Sequence, residues 1–374
     1  MTNEIVKLTT IETFHQDARV ALVRVRTADG AEGWGQTAPA QADITAQVLH
    51  RQVAPLVLGK PTIDLSDLDG LAAEVIEQTY KFPGTYVCRA LTGVETALWD
   101  LRGKLAEKSV CELLGGAPRP FPVYGSSMRR DTTPQEEVER LQRQQEAHGF
   151  RAFKLKIGKR AGHDADEWPG RTPQLVAAVR AALGSATELL VDANSCYTPM
   201  RAIEMGKLLE DHGYAHFEEP CPYWELEWTA QVARALDIPV AGGEQDFDLH
   251  QWRRMFALGS VDIAQPDVCY VGGVARTLRV AKMAQAHNLP CVPHSANHSL
   301  VLIFTLHLMG ALPNAGQHVE YSIEPQAWAH TFYDPLPVVQ DGHVAIPAGP
   351  GWGITIRPDW LEKATRQVSE ADTE

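Results

Sequence analysis

Paired cysteines, a membrane-length apolar run and a basic tract are all missing from this chain, and no signal peptide is expected. Its six cysteines (Cys88, Cys111, Cys196, Cys221, Cys269 and Cys291) are scattered through 374 residues and form no CxxC pair. That spacing excludes a paired-thiolate motif and suits reduced thiols in a cytoplasmic protein. The opening MTNEIVKLTT has neither the basic n-region nor the apolar h-region of a signal peptide. The longest apolar run, 300–312, is interrupted by Thr305 and His307 and is too short to span a bilayer. With a formal net charge of −13 and no basic tract to offset it, neither nucleic acid nor a membrane is expected as a partner. Low-complexity segments are absent too. What remains, 44% hydrophobic and 22% charged residues, is an ordinary globular composition, long enough for one large α/β barrel and a smaller domain.

Three segments give that frame its chemistry. Each is an apolar run that stops on a carboxylate: 189–191 leads into Asp192, 214–217 into Glu218, and 238–243 into Glu244. Both gaps are 26 residues, the length of one strand–helix unit, so the acids fall at the C-terminal tips of three successive parallel strands. That is the catalytic face of a β/α barrel. Three carboxylates gathered there repel one another unless a cation lies between them. Hard oxygen donors favour Mg²⁺, with Mn²⁺ as its close relative.

The rest of the chain fits around this unit. Val20, Leu22 and Val25 alternate before Thr27-Ala28-Asp29-Gly30, a hairpin signal, and Gly33-Trp34-Gly35 follows. A helical face, Leu91, Val94, Leu98 and Leu101, predicts one helix through 90–114, ended by Gly115-Gly116. Strands followed by helices make 1–118 an α+β capping domain. Candidate strands at 121–128, 152–158, 188–194, 214–219, 238–244, 261–267, 289–295 and 317–323, mostly separated by helices, predict a modified (β/α)8-type barrel over 119–335. Thr133-Pro134-Gln135-Glu136 has capping-box spacing, and Gly213 follows a helix begun at Thr198-Pro199. The remaining 336–374 is expected to return to the capping domain, with a strand pair around Asp341-Gly342 and a solvated tail at 368–374.

Alternation in Phe153-Lys154-Leu155-Lys156-Ile157 puts both lysines on one side of a strand. Alone, such a segment also suits a half-exposed strand. One unit before the three acids, it points the lysines into the barrel mouth. A lysine near another cation and a metal ion is more easily deprotonated, which suits a base. Lys156 is read as that base and Lys154 as the charge partner of a substrate carboxylate. Asp267 ends the sixth candidate strand and His294 lies at the end of the seventh, so the acid can hold the imidazole. Glu320, in the eighth, can donate a hydrogen bond to a developing oxyanion, and Glu324 competes for that role. Asn194 and Glu219 are supporting residues. Arg129 and Arg130, after the first strand, can meet a distal anionic group or form an exposed loop pair. Lys159-Arg160 and His163 lie in a long loop, 159–170, of unassigned role.

In order, these residues resemble the enolase superfamily, and within it the mandelate racemase subgroup. The resemblance covers nearly the whole chain. It takes in Ala97-Leu98-Trp99-Asp100, Gly103-Lys104, Leu113-Leu114-Gly115-Gly116, Lys154-Leu155-Lys156, Asp192-Ala193-Asn194, Glu218-Glu219-Pro220, Ala241-Gly242-Gly243-Glu244, Gln265-Pro266-Asp267, Gly272-Gly273 and Pro293-His294. It implies a cap that helps choose the substrate, Mg²⁺ on the three acids, and removal of the proton beside a carboxylate to give an enediolate. It also implies a homo-oligomer. Lys156 and the His294–Asp267 pair would then face opposite sides of the substrate carbon. The short segment 10–21 and the run Ser295-Ala296-Asn297-His298-Ser299 resemble sugar-acid dehydratases, the latter the glucarate type. The resulting expectation is dehydration of an aldonic or aldaric acid to its 2-keto-3-deoxy product. A racemase, epimerase or cycloisomerase is the first rival; a non-catalytic sugar-acid sensor and a metal-dependent aldolase are the others.

Overall fold

Alternation near the N-terminus builds an antiparallel sheet in the structure, a computed structural model that describes residues 4–372. Strands Leu8–His15, Leu22–Thr27 and Glu32–Gln36 form a meander. The Asp29-Gly30 turn, with Gly30 at φ 89°, closes its second hairpin. The fourth strand comes from the far end of the chain. Thr365–Glu370 pairs antiparallel with Leu8–His15, from Thr365↔His15 to Glu370↔Thr10. The solvated tail expected at 368–374 is thus corrected to a strand through Glu370, while 373–374 lie outside the described residues. Its sequence, with Val368 as the one apolar side chain, hides this. The strand forms because it covers the open edge of its neighbour, and because Arg366 Nε reaches the fully buried Glu12 carboxylate at 2.7 Å.

Helix Thr85–Ala106 packs on this sheet so closely that a Cβ on Gly35 would lie 2.3 Å from Thr96 Oγ1 and 2.5 Å from the Ala97 nitrogen. The single helix expected over 90–114 is broken. Glu107 turns left-handed (φ 52°), and Val110–Leu113 starts afresh behind a Ser109–Glu112 capping box. The apolar period runs across the break and so conceals it.

Strands Pro120–Ser126, Ala152–Lys156, Glu188–Asp192, His216–Glu218, Val240–Gly242 and Ile263–Ala264 follow, each hydrogen-bonded in parallel to the next. Val319–Ser322 pairs in parallel with the first of them. Between the sixth and eighth, the strand expected at 289–295 is reduced to single bridges, Ala264↔Cys291, Asp267↔His294 and Cys291↔Ala315. Pro290 and Pro293 lack the N–H groups a ladder needs. These bridges and the first–eighth pairing curl the sheet toward a barrel, with no ladder joining the seventh position to the eighth strand among the described residues. Phe153, Leu155 and Ile157 pack outward with Leu175, Val176 and Val179, which turns Lys154 and Lys156 inward. Helix Pro134–His148 has the expected Thr133–Glu136 capping box and a left-handed Gly149 behind it. The hairpin Val339–Gln340 and His343–Ala345 forms, and lies antiparallel on the first barrel strand rather than on the cap.

Leu300–Met309, the apolar run noted above, is a helix buried on every face. Among the described residues no helix is long and apolar enough to cross a membrane. His307 in that helix joins three parts of the chain. Its Nδ1 accepts from the Cys111 N–H at 3.0 Å, and its Nε2 lies 3.2 Å from the Trp352 carbonyl. Both bonds are satisfied only by the neutral ring protonated at Nε2. Burial pulls its pKa down from 6.5 to about 4, against smaller upward pushes from the Trp352 carbonyl and Glu112. Below pH 6.5 the unfolded chain therefore takes a proton that the folded chain refuses until about pH 4, and stability falls across that window. At pH 5 this costs about 2 kcal/mol relative to pH 7. Urea unfolding at both pH values should show His307→Gln losing about 2 kcal/mol less on acidification than the wild type; equal losses would remove His307 from the acid limb.

Candidate active site

Asp192 and Glu218 are the last residues of the third and fourth barrel strands, paired with each other in register. Glu244 follows the fifth strand by way of Gly243, whose φ of 107° and contact with the Trp252 ring, 2.1 Å from any Cβ, exclude other residues. One carboxylate oxygen from each of Asp192, Glu218 and Glu244 lies within 4.8 Å of the other two, and all three side chains are buried. An all-oxygen donor set of this size fits a hard divalent cation.

Every one of these acids also meets a cation of the chain. Lys156 Nζ contacts Asp192 Oδ2. Lys154 Nζ lies 2.7 and 2.9 Å from the two oxygens of Glu218, and 3.0 Å from Glu320 Oε1. His294 Nε2 is 3.1 Å from Glu244, and its Nδ1 is 2.8 Å from Asp267 Oδ2. Burial works to discharge Lys154, but Glu218 and Glu320 outweigh it and hold the ammonium well above the ordinary lysine range. Burial likewise opposes the charge on His294, and Glu244, the Asp267 hydrogen bond and Glu320 overcome it, raising the imidazole to about 10. Glu320 is pushed up by burial and pulled down more strongly by Lys154 and His294, to about 2. Glu219 goes the other way: burial, then Glu244, Asp192 and Glu218, raise it well above the carboxylate range. Asp192, Glu218, Glu244, Asp267 and Glu320 thus face Lys154, Lys156 and His294, so carboxylates outnumber cationic side chains in the cluster. A divalent ion would offset that excess.

Other residues singled out in the sequence are placed with varying closeness. Asn194, at φ 41°, donates to Asp192 Oδ2 from Nδ2 (3.0 Å) and to Asp192 Oδ1 from its backbone (2.7 Å). Its Nδ2 also reaches Glu219 Oε2 at 3.4 Å. Arg130 Nη2 donates to Asn194 Oδ1 at 3.0 Å, which fixes the amide with its NH₂ toward the acids. Arg130 thus touches the site through Asn194. Arg129 is not brought in; it forks onto Asp131 at the surface (2.8 and 2.6 Å). Glu324 accepts from the Met128 N–H and from Arg140, so of the two glutamates Glu320 is the one in the cluster. The loop 159–170 is tied to its neighbours, with the Ala161 N–H on the Asn194 carbonyl and Asp164 on Thr198. Asp267 meets His294 as expected, and its other oxygen accepts from the Cys269 N–H at 2.7 Å. Sequence reading passed over Gln36. From the cap sheet it donates to Ser299 Oγ and accepts from the Leu300 N–H, both at 2.9 Å, steadying the segment after His294. Its signal was only its place at the end of an alternating strand.

A parallel α/β ring bearing three acids on consecutive strand tips, with a lysine pair on one side and a His–Asp pair on the other, defines an enolase-superfamily enzyme. Residues 136–360 match the family described as Enolase C-terminal domain-like, and residues 4–115 match the Mandelate racemase / muconate lactonizing enzyme N-terminal domain. The chain belongs to that family. A Saccharolobus solfataricus protein named arabinonate dehydratase is 29% identical over 92% of this chain and 90% of its own length. An Agrobacterium fabrum D-galactarolactone cycloisomerase is 34% identical over 73% of this chain and 72% of its own. Among solved structures, a Roseobacter denitrificans protein described as a candidate racemase superposes with a TM-score of 0.95 at 53% identity, covering 97% of this chain and 100% of that one. A mandelate racemase/muconate lactonizing protein from Paracoccus denitrificans, complexed with magnesium, superposes with a TM-score of 0.88 at 30% identity, over 97% and 99% of the two chains.

Proposed function

We propose that the enzyme dehydrates an aldonic or aldaric acid to its 2-keto-3-deoxy product, with Mg²⁺ held by Asp192, Glu218 and Glu244. The observation that supports this best is the pairing of Lys156 with Asp192 at one flank of the acids and of His294 with Glu244 at the other. In strand order they stand on the second and seventh positions of the ring, so a substrate between them meets proton-transfer groups on both faces. A divalent cation at the acids supplies Lewis-acid stabilisation of the negative charge that develops on the substrate carboxylate. Lys156 Nζ, as the neutral amine after releasing its own proton to solvent, takes the proton from the carbon next to that carboxylate. Lys154, permanently charged, adds a fixed positive potential from one layer below. His294, protonated and oriented through Nδ1 by Asp267, gives its Nε2 proton to the β-hydroxyl, which leaves as water; the enol then tautomerises to the keto acid. Glu320, ionised beside Lys154 and His294, keeps both cationic instead of donating a proton of its own. The dehydratase name of the Saccharolobus relative supports the reaction class, and the magnesium in the Paracoccus structure supports the ion.

The same two groups would serve racemisation or cycloisomerisation, and the Agrobacterium relative keeps that reading in view. A library of aldonates and aldarates with Mg²⁺ in D₂O separates them. Release of 2-keto product from at least one acid is expected. Deuterium entering substrate without water loss selects the isomerase reading, and turnover of none of them contradicts the sugar-acid reading.

A further inference from the structure

The lower half of the barrel is not filled. A cavity of about 550 Å³ enters from the end opposite the acids, lined by Tyr124, Ala215, His216, Ile263 and Gln265 among others. Barrel interiors are ordinarily packed in side-chain layers, so open volume directly below a charged layer calls for a reason. Around it Tyr124 Oη, His216 Nε2 and Gln265 Oε1 are buried without a hydrogen-bond partner. Two of these residues address the same atom of the layer above. Gln265 Nε2 donates to Glu218 Oε2 at 2.9 Å, and His216 Nε2 stands 3.6 Å from that oxygen.

We propose that Gln265 and His216 are positioning residues that fix the Glu218 carboxylate from beneath through Oε2, leaving its remaining lone pairs aimed at the cation. The proposal rests on Glu218 being a cation ligand. Lys154 neutralises Glu218, but an ammonium on a flexible stem is a point charge that leaves the carboxylate free to swing. A planar amide just beyond the sixth barrel strand supplies direction. The His216 ring reaches the same oxygen by a small rotation, which would also satisfy a buried nitrogen that otherwise costs free energy. Outer hydrogen bonds of this kind commonly govern metal affinity by 10- to 100-fold. The cavity then has a practical consequence: a missing ring at 216 would leave space continuous with an opening to solvent.

Isothermal titration of Mg²⁺ at pH 8, without substrate, tests this on the wild type, Gln265→Leu, His216→Ala, His216→Gln and Glu218→Gln. Gln265→Leu and His216→Ala should each bind Mg²⁺ about tenfold more weakly, with far-UV circular dichroism unchanged. His216→Gln, which keeps a donor, should stay close to wild type and serves if the alanine variant does not fold. Added imidazole should restore most of the affinity of His216→Ala, while the wild type and Gln265→Leu stay unaffected. Folded Gln265→Leu and His216→Ala chains that bind Mg²⁺ like the wild type would overturn the proposal, as would a loss in His216→Ala that imidazole does not repair. A wild type that takes up no Mg²⁺, or a Glu218→Gln chain that binds it unchanged, would instead overturn the ligand reading on which it rests.

Discussion

Replacing Lys156 with methionine should lower kcat by about 10³-fold or more, with KM within a few-fold of wild type. Methionine keeps the length and apolar stem of lysine but has no nitrogen to accept a proton. The strand around it should tolerate the change, since Phe153 and Leu155 hold its outer face against the helices independently of the lysines. The loss falls on kcat because proton abstraction is made only in the transition state. Deuterium exchange at the substrate carbon, followed by NMR in D₂O, should stop as well. A Lys156→Met chain that dehydrates its substrate at near the wild-type rate would take the base away from Lys156.

His294→Asn should behave differently, and the difference identifies its role. Asparagine can still hydrogen-bond to Asp267, so the segment beyond it, anchored by Gln36 on Ser299 and Leu300, should keep its place. Without the imidazolium, the β-hydroxyl has no acid to protonate it. Product formation should fall by about 10²- to 10⁴-fold, while Lys156 continues to exchange the neighbouring proton with solvent. Exchange without water loss is thus the expected signature of this variant. Dehydration at the wild-type rate would show that His294 is not the acid.

Much of the site could be read from the sequence because its signals are local. Asp192, Glu218 and Glu244 each end an apolar run, and each run sets its own strand, so the triad needed no knowledge of packing. Lys154 and Lys156 alternate with apolar neighbours, and His294 closes the run 289–294, bridged to Asp267. The layer below was opaque for the opposite reason. Tyr124, His216 and Gln265 are inward-facing residues of common types in or just beyond strands, and only the curled sheet brings the last two to one oxygen of Glu218. The opposite pulls on the two glutamates were equally hidden: burial and nearby carboxylates push Glu219 up, while Lys154 and His294 outweigh burial and draw Glu320 down. Arg130 looked like a substrate contact because an arginine beside a strand end is not seen to be spent on Asn194. The seventh strand could have been doubted from Pro290 and Pro293, each of which removes a ladder donor. The strand Thr365–Glu370 could not have been found, because its existence depends on an edge more than 350 residues earlier.

Buried carboxylates outnumber cationic side chains at the barrel mouth, and Asp192, Glu218 and Glu244 converge where one divalent ion would answer that excess. Metal analysis of protein purified without chelator, with turnover measured before and after EDTA, addresses this directly. About one Mg²⁺-class ion per chain is expected, with turnover lost on chelation and restored by Mg²⁺. Protein that holds no divalent ion and turns over undiminished in EDTA would contradict it.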